Sequence, residues 1–126
     1  MAEITILVVD DDPTNRFVLS KMLKHRGYTV AQAESGAQAI ECVSETSPAV
    51  VLMDINMPGM TGVEAARKIA SMLGEAAPKI VAVTANNTTA QRAECAAAGF
   101  QGFLAKPVKM QVLFDALEEG GRSKDA

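Results

Sequence analysis

Asp10, Asp11 and Asp12 follow the apolar run ITILVV, and Asp54 follows VVLM. A buried strand ordinarily exits through Gly, Asn or Ser, so an acid there is either a helix cap or a chemical group. Thr84 closes a third run, IVAV, and Lys106 follows a fourth, FLA. Several carboxylates cannot share a small site as free anions; either their pKa rises or a divalent cation offsets the repulsion. No His or Cys stands at these positions, so the ligands would all be oxygen. That selects a hard ion, Mg2+ with Mn2+ able to substitute, over zinc or copper. Mg2+ keeps waters and binds one or two carboxylates plus phosphate oxygens, which points to phosphoryl chemistry. A carboxylate can itself be the nucleophile, giving an aspartyl phosphate. Lys106 and the metal would neutralise charge on the transferred group, and Thr84 would donate a hydrogen bond to one of its oxygens.

Five short apolar runs alternate with five helix-like segments, and these must bring the polar groups together. The expected strands are Ile4–Val9, Tyr28–Ala33, Ala49–Met53, Ile80–Val83 and a short one around Phe103–Ala105. The first is near-continuously apolar, as strands buried on both faces are, and the second is weaker. Pro13 opens the first helix, whose apolar pairs Val18/Leu19 and Met22/Leu23 recur at helical spacing before Gly27. Ser35 caps the second, with Ile40 and Val43 inward. Val63, Ala66, Ala70 and Leu73 mark the inner face of the third, which Gly74 and Pro78 close. Thr88–Ala98 forms an alanine-rich fourth helix ended by Gly99. The last carries Val112, Leu113, Ala116 and Leu117 inward.

A regular β-α alternation implies a parallel sheet with right-handed crossovers. The expected fold is α/β and flavodoxin-like, a doubly wound (βα)5 unit with five parallel strands in the order 2-1-3-4-5. The 126 residues fit one domain, whereas an eight-fold barrel would need about 200 or more. The domain is expected over residues 1–120, with a polar tail at 121–126. Ligands in such sheets bind beyond the carboxyl ends of the strands, at the switch point. With strands one and three adjacent, the first acids face Asp54 across that crevice, and Thr84 and Lys106 line the same edge.

Composition narrows the partners. Hydrophobic residues make up 48% and aromatics only 4%, a Val/Ile/Leu/Met/Ala core suited to a parallel sheet. Twelve basic against fifteen acidic residues give a net charge of -3 without a basic run, which argues against direct nucleic-acid binding. No apolar stretch could cross a membrane, and Asp10–Asp12 interrupt the one apolar N-terminal segment that could resemble a signal peptide. Cys42 and Cys95 match no metal or redox spacing and are expected as buried, reduced thiols of a cytoplasmic protein. His25, in KHRGY, reads as a helix-end cation and Asp12, before Pro13, as a helix N-terminal acid.

The stretches ILVVDDDPTNR, VLMDINMPGMTG, VAVTAN and GFLAKP occur in this order at four strand ends. Together they resemble the receiver domain of two-component response regulators, over about Ile4 to Leu117. INMPGMTG and TANNTTAQRAECAAAGFQGFLAKP look most like receivers of hybrid histidine kinases. The resemblance implies that Asp54 is the phosphoacceptor, that Asp11 binds Mg2+ directly and Asp10 through water, and that Asn56 offers its backbone carbonyl to the metal. It implies a switch hydroxyl at Thr84, the family's lysine at Lys106 with a cis Lys106–Pro107 bond, and a switching aromatic at Phe103. Implied partners are a histidine kinase or histidine phosphotransfer domain, and a downstream protein or a second copy on the face made by the fourth helix, fifth strand and fifth helix. The chain would be a single-domain regulator or a receiver from a hybrid kinase. It would not be an enzyme beyond slow self-dephosphorylation, though a parent hybrid kinase would be a transferase.

A haloacid-dehalogenase-type phosphatase also uses a nucleophilic Asp with Mg2+, and is the alternative reading. It needs a second Asp two residues after the nucleophile, where this chain has Asn56. A flavodoxin would need a Ser/Thr/Gly-rich phosphate loop where this chain has the anionic DDDPTN.

Overall fold

A computed structural model describes residues 4–86 and 88–119; the polar tail expected at 121–126 lies outside them. The elements run β1 (Thr5–Val9), α1 (Pro13–His25), β2 (Thr29–Ala33), α2 (Gly36–Thr46), β3 (Val50–Asp54), α3 (Gly62–Leu73), a 3-10 turn (Gly74–Ala76), β4 (Lys79–Thr84), α4 (Thr89–Ala97), β5 (Gly102–Ala105) and α5 (Met110–Glu119). All four strand pairings are parallel, in the order β2-β1-β3-β4-β5. The topological switch point therefore falls between β1 and β3, as the sequence pattern requires.

Strand parity decides which face each residue serves, because successive side chains point to opposite sides. Leu7, Val9, Val51, Met53, Ile80 and Ala82 pack under α2, α3 and α4, with Ala39, Val43, Ala66, Ile69 and Cys95. Ile6, Val8, Val50, Leu52, Val81, Val83 and Leu104 pack under α1 and α5, with Leu19, Leu23, Leu113 and Phe114. Both faces of β1, β3 and β4 are covered, which is why these strands read as nearly unbroken apolar runs, whereas edge strand β2 is only partly buried.

Helix ends follow local chemistry. Asp12 caps α1 by accepting from the Thr14 amide, ahead of Pro13 at the first helical position. Ser35 accepts from the Gln38 amide. Thr61 and Glu64 form a closed capping box on α3, in which each satisfies the other's backbone donor. At the far end of the molecule α5 is pinned from two sides. Lys79 Nζ donates to the Ala116 carbonyl at 3.1 Å, a cation at the helix C-terminus. Arg26 pairs with Glu118 at 2.7 Å and lies 4.6 Å over the Phe114 ring.

Several inward faces differ from the expected ones at single positions. Ala70 is exposed and Ile69 is buried in its place, and Val112 is exposed while Phe114 is buried. Ala39 and Val43 carry the inner face of α2, with Ile40 only half-buried. Val43, Val63, Ala66 and Leu113 are buried as expected, so each apolar stripe keeps its place and differs only along one edge. Val18 is also exposed. Cys95 is buried as expected, but Cys42 is only half-buried.

Candidate functional site

The strand registers place the site. Val9 pairs with Met53, Asp54 with Val83, and Thr84 with Ala105. The residues just beyond these pairs share one edge of the sheet. Asp10 and Asp54 have the parity of the face covered by α1 and α5, as does Lys106 after Leu104. Thr84 and Phe103 have the parity of the opposite face, beneath α4. The four strand ends thus form two groups that meet at the sheet's rim.

The first group is ionic. Asp10 and Asp54 are 1% and 4% exposed. Lys106 Nζ lies 3.0 Å from Asp10 Oδ2 and 3.5 Å from Asp54 Oδ1. One carboxylate oxygen from each of Asp10, Asp11 and Asp54 falls within 4.8 Å of the others. Burial, and then the charge of Asp10, push the Asp54 carboxyl up to about 6, against the Lys106 ammonium and the Asn56 amide, which pull it down. Burial would lower the Lys106 ammonium, but its hydrogen bond to Asp10 and the charges of Asp54 and Asp10 outweigh that and raise it. Three acids face one ammonium, so the cluster is short of positive charge. An all-oxygen donor set with that deficit fits a hard divalent cation, Mg2+ or Mn2+.

Backbone holds these groups in place. Arg16 donates to the Asp10 carbonyl at 2.7 Å, and the Asp12 amide donates to Asp10 Oδ1 at 2.9 Å. Arg16 escaped the sequence reading, although it stands one turn into α1 directly after the acids. The loop after Asp54 turns through Gly59, whose φ of 78° favours glycine. It returns so closely that the Gly62 amide donates to the Ile55 carbonyl at 2.9 Å. A side chain at Gly62 would overlap the Asp54 carbonyl oxygen and come within 2.9 Å of Ile55 Cα. The stretch INMPGMTG is therefore a folded-back strap fixing the strand end that carries Asp54.

The second group is built around Thr84, which is fully buried. Its hydroxyl donates to Gln91 Oε1 at 3.2 Å and accepts from the Asn86 amide at 3.1 Å. Asn56 Nδ2 approaches the same oxygen at 3.5 Å, so Asn56 reaches the Thr84 group from the β3 loop. Phe103 is half-buried, and the Arg92 guanidinium lies 4.4 Å over its ring. Gln91 was not read as a site residue; its signal was the Thr88-x-x-Gln91 spacing of a capping box. Lys106–Pro107 is cis, and the Lys106 amide donates to the Thr84 carbonyl. Beside Lys106, an apolar groove of about 430 Å³ runs between α1 and the segment after β5, walled by Val18, Met22, Ala85, Pro107 and Val108. Phe17 and Val18 are exposed on α1.

The response regulator receiver domain pattern matches residues 6–118. Sensor histidine kinase RcsC of Salmonella typhimurium is 37% identical over 115 residues, which are 91% of this chain and 12% of RcsC. PilH of Pseudomonas aeruginosa is 33% identical over 112 residues, 89% of this chain and 93% of PilH. Chemotaxis protein CheY4 of Vibrio cholerae superposes with a TM-score of 0.88 at 29% identity, covering 94% of this chain and 98% of that one. A chain in the co-crystal of Saccharomyces cerevisiae histidine phosphotransfer signaling protein Ypd1 with the receiver domain of Ssk1 superposes at 0.87 and 26% identity, over 93% and 88%.

Proposed function

Since the chain belongs to the response regulator receiver domain family, and so serves two-component phosphorelay signalling as a phosphoacceptor switch, we propose that Asp54 is its phosphoacceptor. The observation that carries this is the ammonium of Lys106 set between two buried carboxylates, Asp10 and Asp54, at 3.0 and 3.5 Å. Asp54 ends a strand whose other four residues are apolar and buried, so its carboxylate meets an incoming group at a fixed point on the rim. A carboxylate oxygen of Asp54 attacks the phosphorus of a phosphohistidine. The N–P bond breaks with its electron pair on nitrogen, and a ring protonated on its other nitrogen leaves as neutral imidazole. Lys106 stays within reach of the new phosphoryl oxygens as Asp54 loses its own charge.

Asp10, Asp11 and Asp54, with the Asn56 carbonyl, would hold the Mg2+. When bound it supplies Lewis-acid neutralisation of phosphoryl charge. Thr84 then donates to a phosphoryl oxygen, vacating space beneath α4 into which Phe103 turns. That alters the α4-β5-α5 face, on which a downstream protein or second copy would dock. The coupling is about 1–3 kcal/mol between existing states. The donor is a histidine kinase or histidine phosphotransfer domain, for which exposed Phe17 and Val18 beside the groove at Lys106 offer apolar contact. Free-standing action in the cytoplasm, or service as one segment of a hybrid kinase, are both compatible with relatives of such different length.

The test is incubation with Mg2+ and acetyl phosphate, followed by mass spectrometry. One phosphoryl group should appear on Asp54, labile at alkaline pH. An Asp54→Asn variant that labels as fully as the parent overturns the assignment.

A further inference from the structure

Two capping sequences of the same type behave differently in this molecule. In α3, Thr61 and Glu64 close both arms of their box. In α4, Thr88 Oγ1 accepts from the Gln91 amide at 3.1 Å, so the first arm is made. The second arm would take Gln91 Oε1 to the Thr88 amide, yet that oxygen accepts the Thr84 hydroxyl instead, at 3.2 Å. A hydroxyl has one proton to give. While Gln91 holds it, Thr84 cannot donate to a phosphoryl oxygen.

Resting on the reading of Asp54 above, we propose that Gln91 is a positioning residue that tethers Thr84 away from the phosphorylation site. Phosphorylation moves the Thr84 hydroxyl to the phosphoryl group, and Gln91 Oε1 then closes the α4 box on the Thr88 amide. The exchange replaces one hydrogen bond by another, so releasing Thr84 leaves no orphaned acceptor in a buried pocket. The next residue, Arg92, lies over Phe103. Closing the box therefore acts on the same helical turn that holds the aromatic ring, and ties the start of α4 to the state of Asp54.

The experiment is a titration of the Mg2+ protein with beryllofluoride, followed by amide NMR with hydrogen exchange at Thr88. In the parent, exchange at the Thr88 amide slows on saturation. Gln91→Met keeps the side-chain length without the oxygen acceptor. It takes one hydrogen bond from each state, but the one to buried Thr84 outweighs the one at exposed Thr88, so it should bind beryllofluoride about two- to fivefold more tightly and lose the Thr88 protection. Gln91→Glu keeps an acceptor and should bind no more tightly than the parent. In a Thr84→Ala background, Gln91→Met should leave the affinity unchanged. Parent-like affinity in Gln91→Met, or the same gain with and without Thr84, overturns the tether while the reading of Asp54 stands. A parent that shows no beryllofluoride response with Mg2+ overturns the reading of the site itself.

Discussion

Replacing Asp54 by asparagine should stabilise the metal-free protein, and by an amount that grows with pH. Burial and the neighbouring Asp10 raise the Asp54 carboxyl from the usual 3.8 to about 6. Between those values the folded state binds more protons than the unfolded one, so stability falls as pH rises through that window. The gap converts, at about 1.4 kcal/mol per pH unit, to ~3 kcal/mol of destabilisation once Asp54 is ionised. Relaxation and water entry at the rim reduce this, giving an expected gain for Asp54→Asn of about 1–3 kcal/mol, or ~3–10 °C in Tm. At about pH 4 the folded carboxyl is protonated and the unfolded one about half so, so little of the gain remains, and about a pH unit lower it should vanish. The assay is urea unfolding of parent and variant in EDTA at about pH 4 and about pH 7.5. Added Mg2+ should shrink the difference at the higher pH, because the metal offsets the repulsion in the parent. An equal difference at both pH values, or a variant less stable than the parent at the higher one, refutes the charge argument.

Asp11→Ala should abolish the thermal response to Mg2+, which in the parent should reach about 1.4 kcal/mol at ten times Kd; a titration curve matching the parent's removes Asp11 from the metal site. Gly62→Ala should cost about 2 kcal/mol or more, because its Cβ would meet the backbone of Asp54 and Ile55, an overpacking that flexible side chains cannot absorb. A urea midpoint within error of the parent's would show that the strap can shift. Arg26→Ala should cost about 1 kcal/mol, part from the half-exposed Glu118 pair and part from the Phe114 ring. Only the Glu118 part should fade with salt, and loss of the whole effect at high salt would rule out the ring contact.

The order of elements and the chemistry at the strand ends could be read along the chain, because both are local. Apolar runs bounded by Asp10, Asp54, Thr84 and Lys106 mark strands by burial; Ser35 and Thr88 mark helix starts by hydrogen bonds that span three residues, and Pro13 marks one by its fixed φ. Parallel topology then puts those ends on one edge, since a βαβ crossover leaves no other arrangement for them. What the chain could not declare is partnership across the sheet. Lys106 meets Asp10 across 96 residues, and only the register of β1, β3, β4 and β5 decides that it bridges Asp10 and Asp54 rather than facing solvent. The same register sends Thr84 to the α4 side of the sheet, where its hydroxyl donates to Gln91. The edge of each helix's buried face was decided in three dimensions as well. Ala70 and Ile69, one residue apart, and Val112 and Phe114, two apart, border the same apolar stripes, and packing against the sheet buries Ile69 and Phe114. A local pattern fixes a residue's type of environment, whereas its neighbour across the fold is set by packing that no short window of sequence contains.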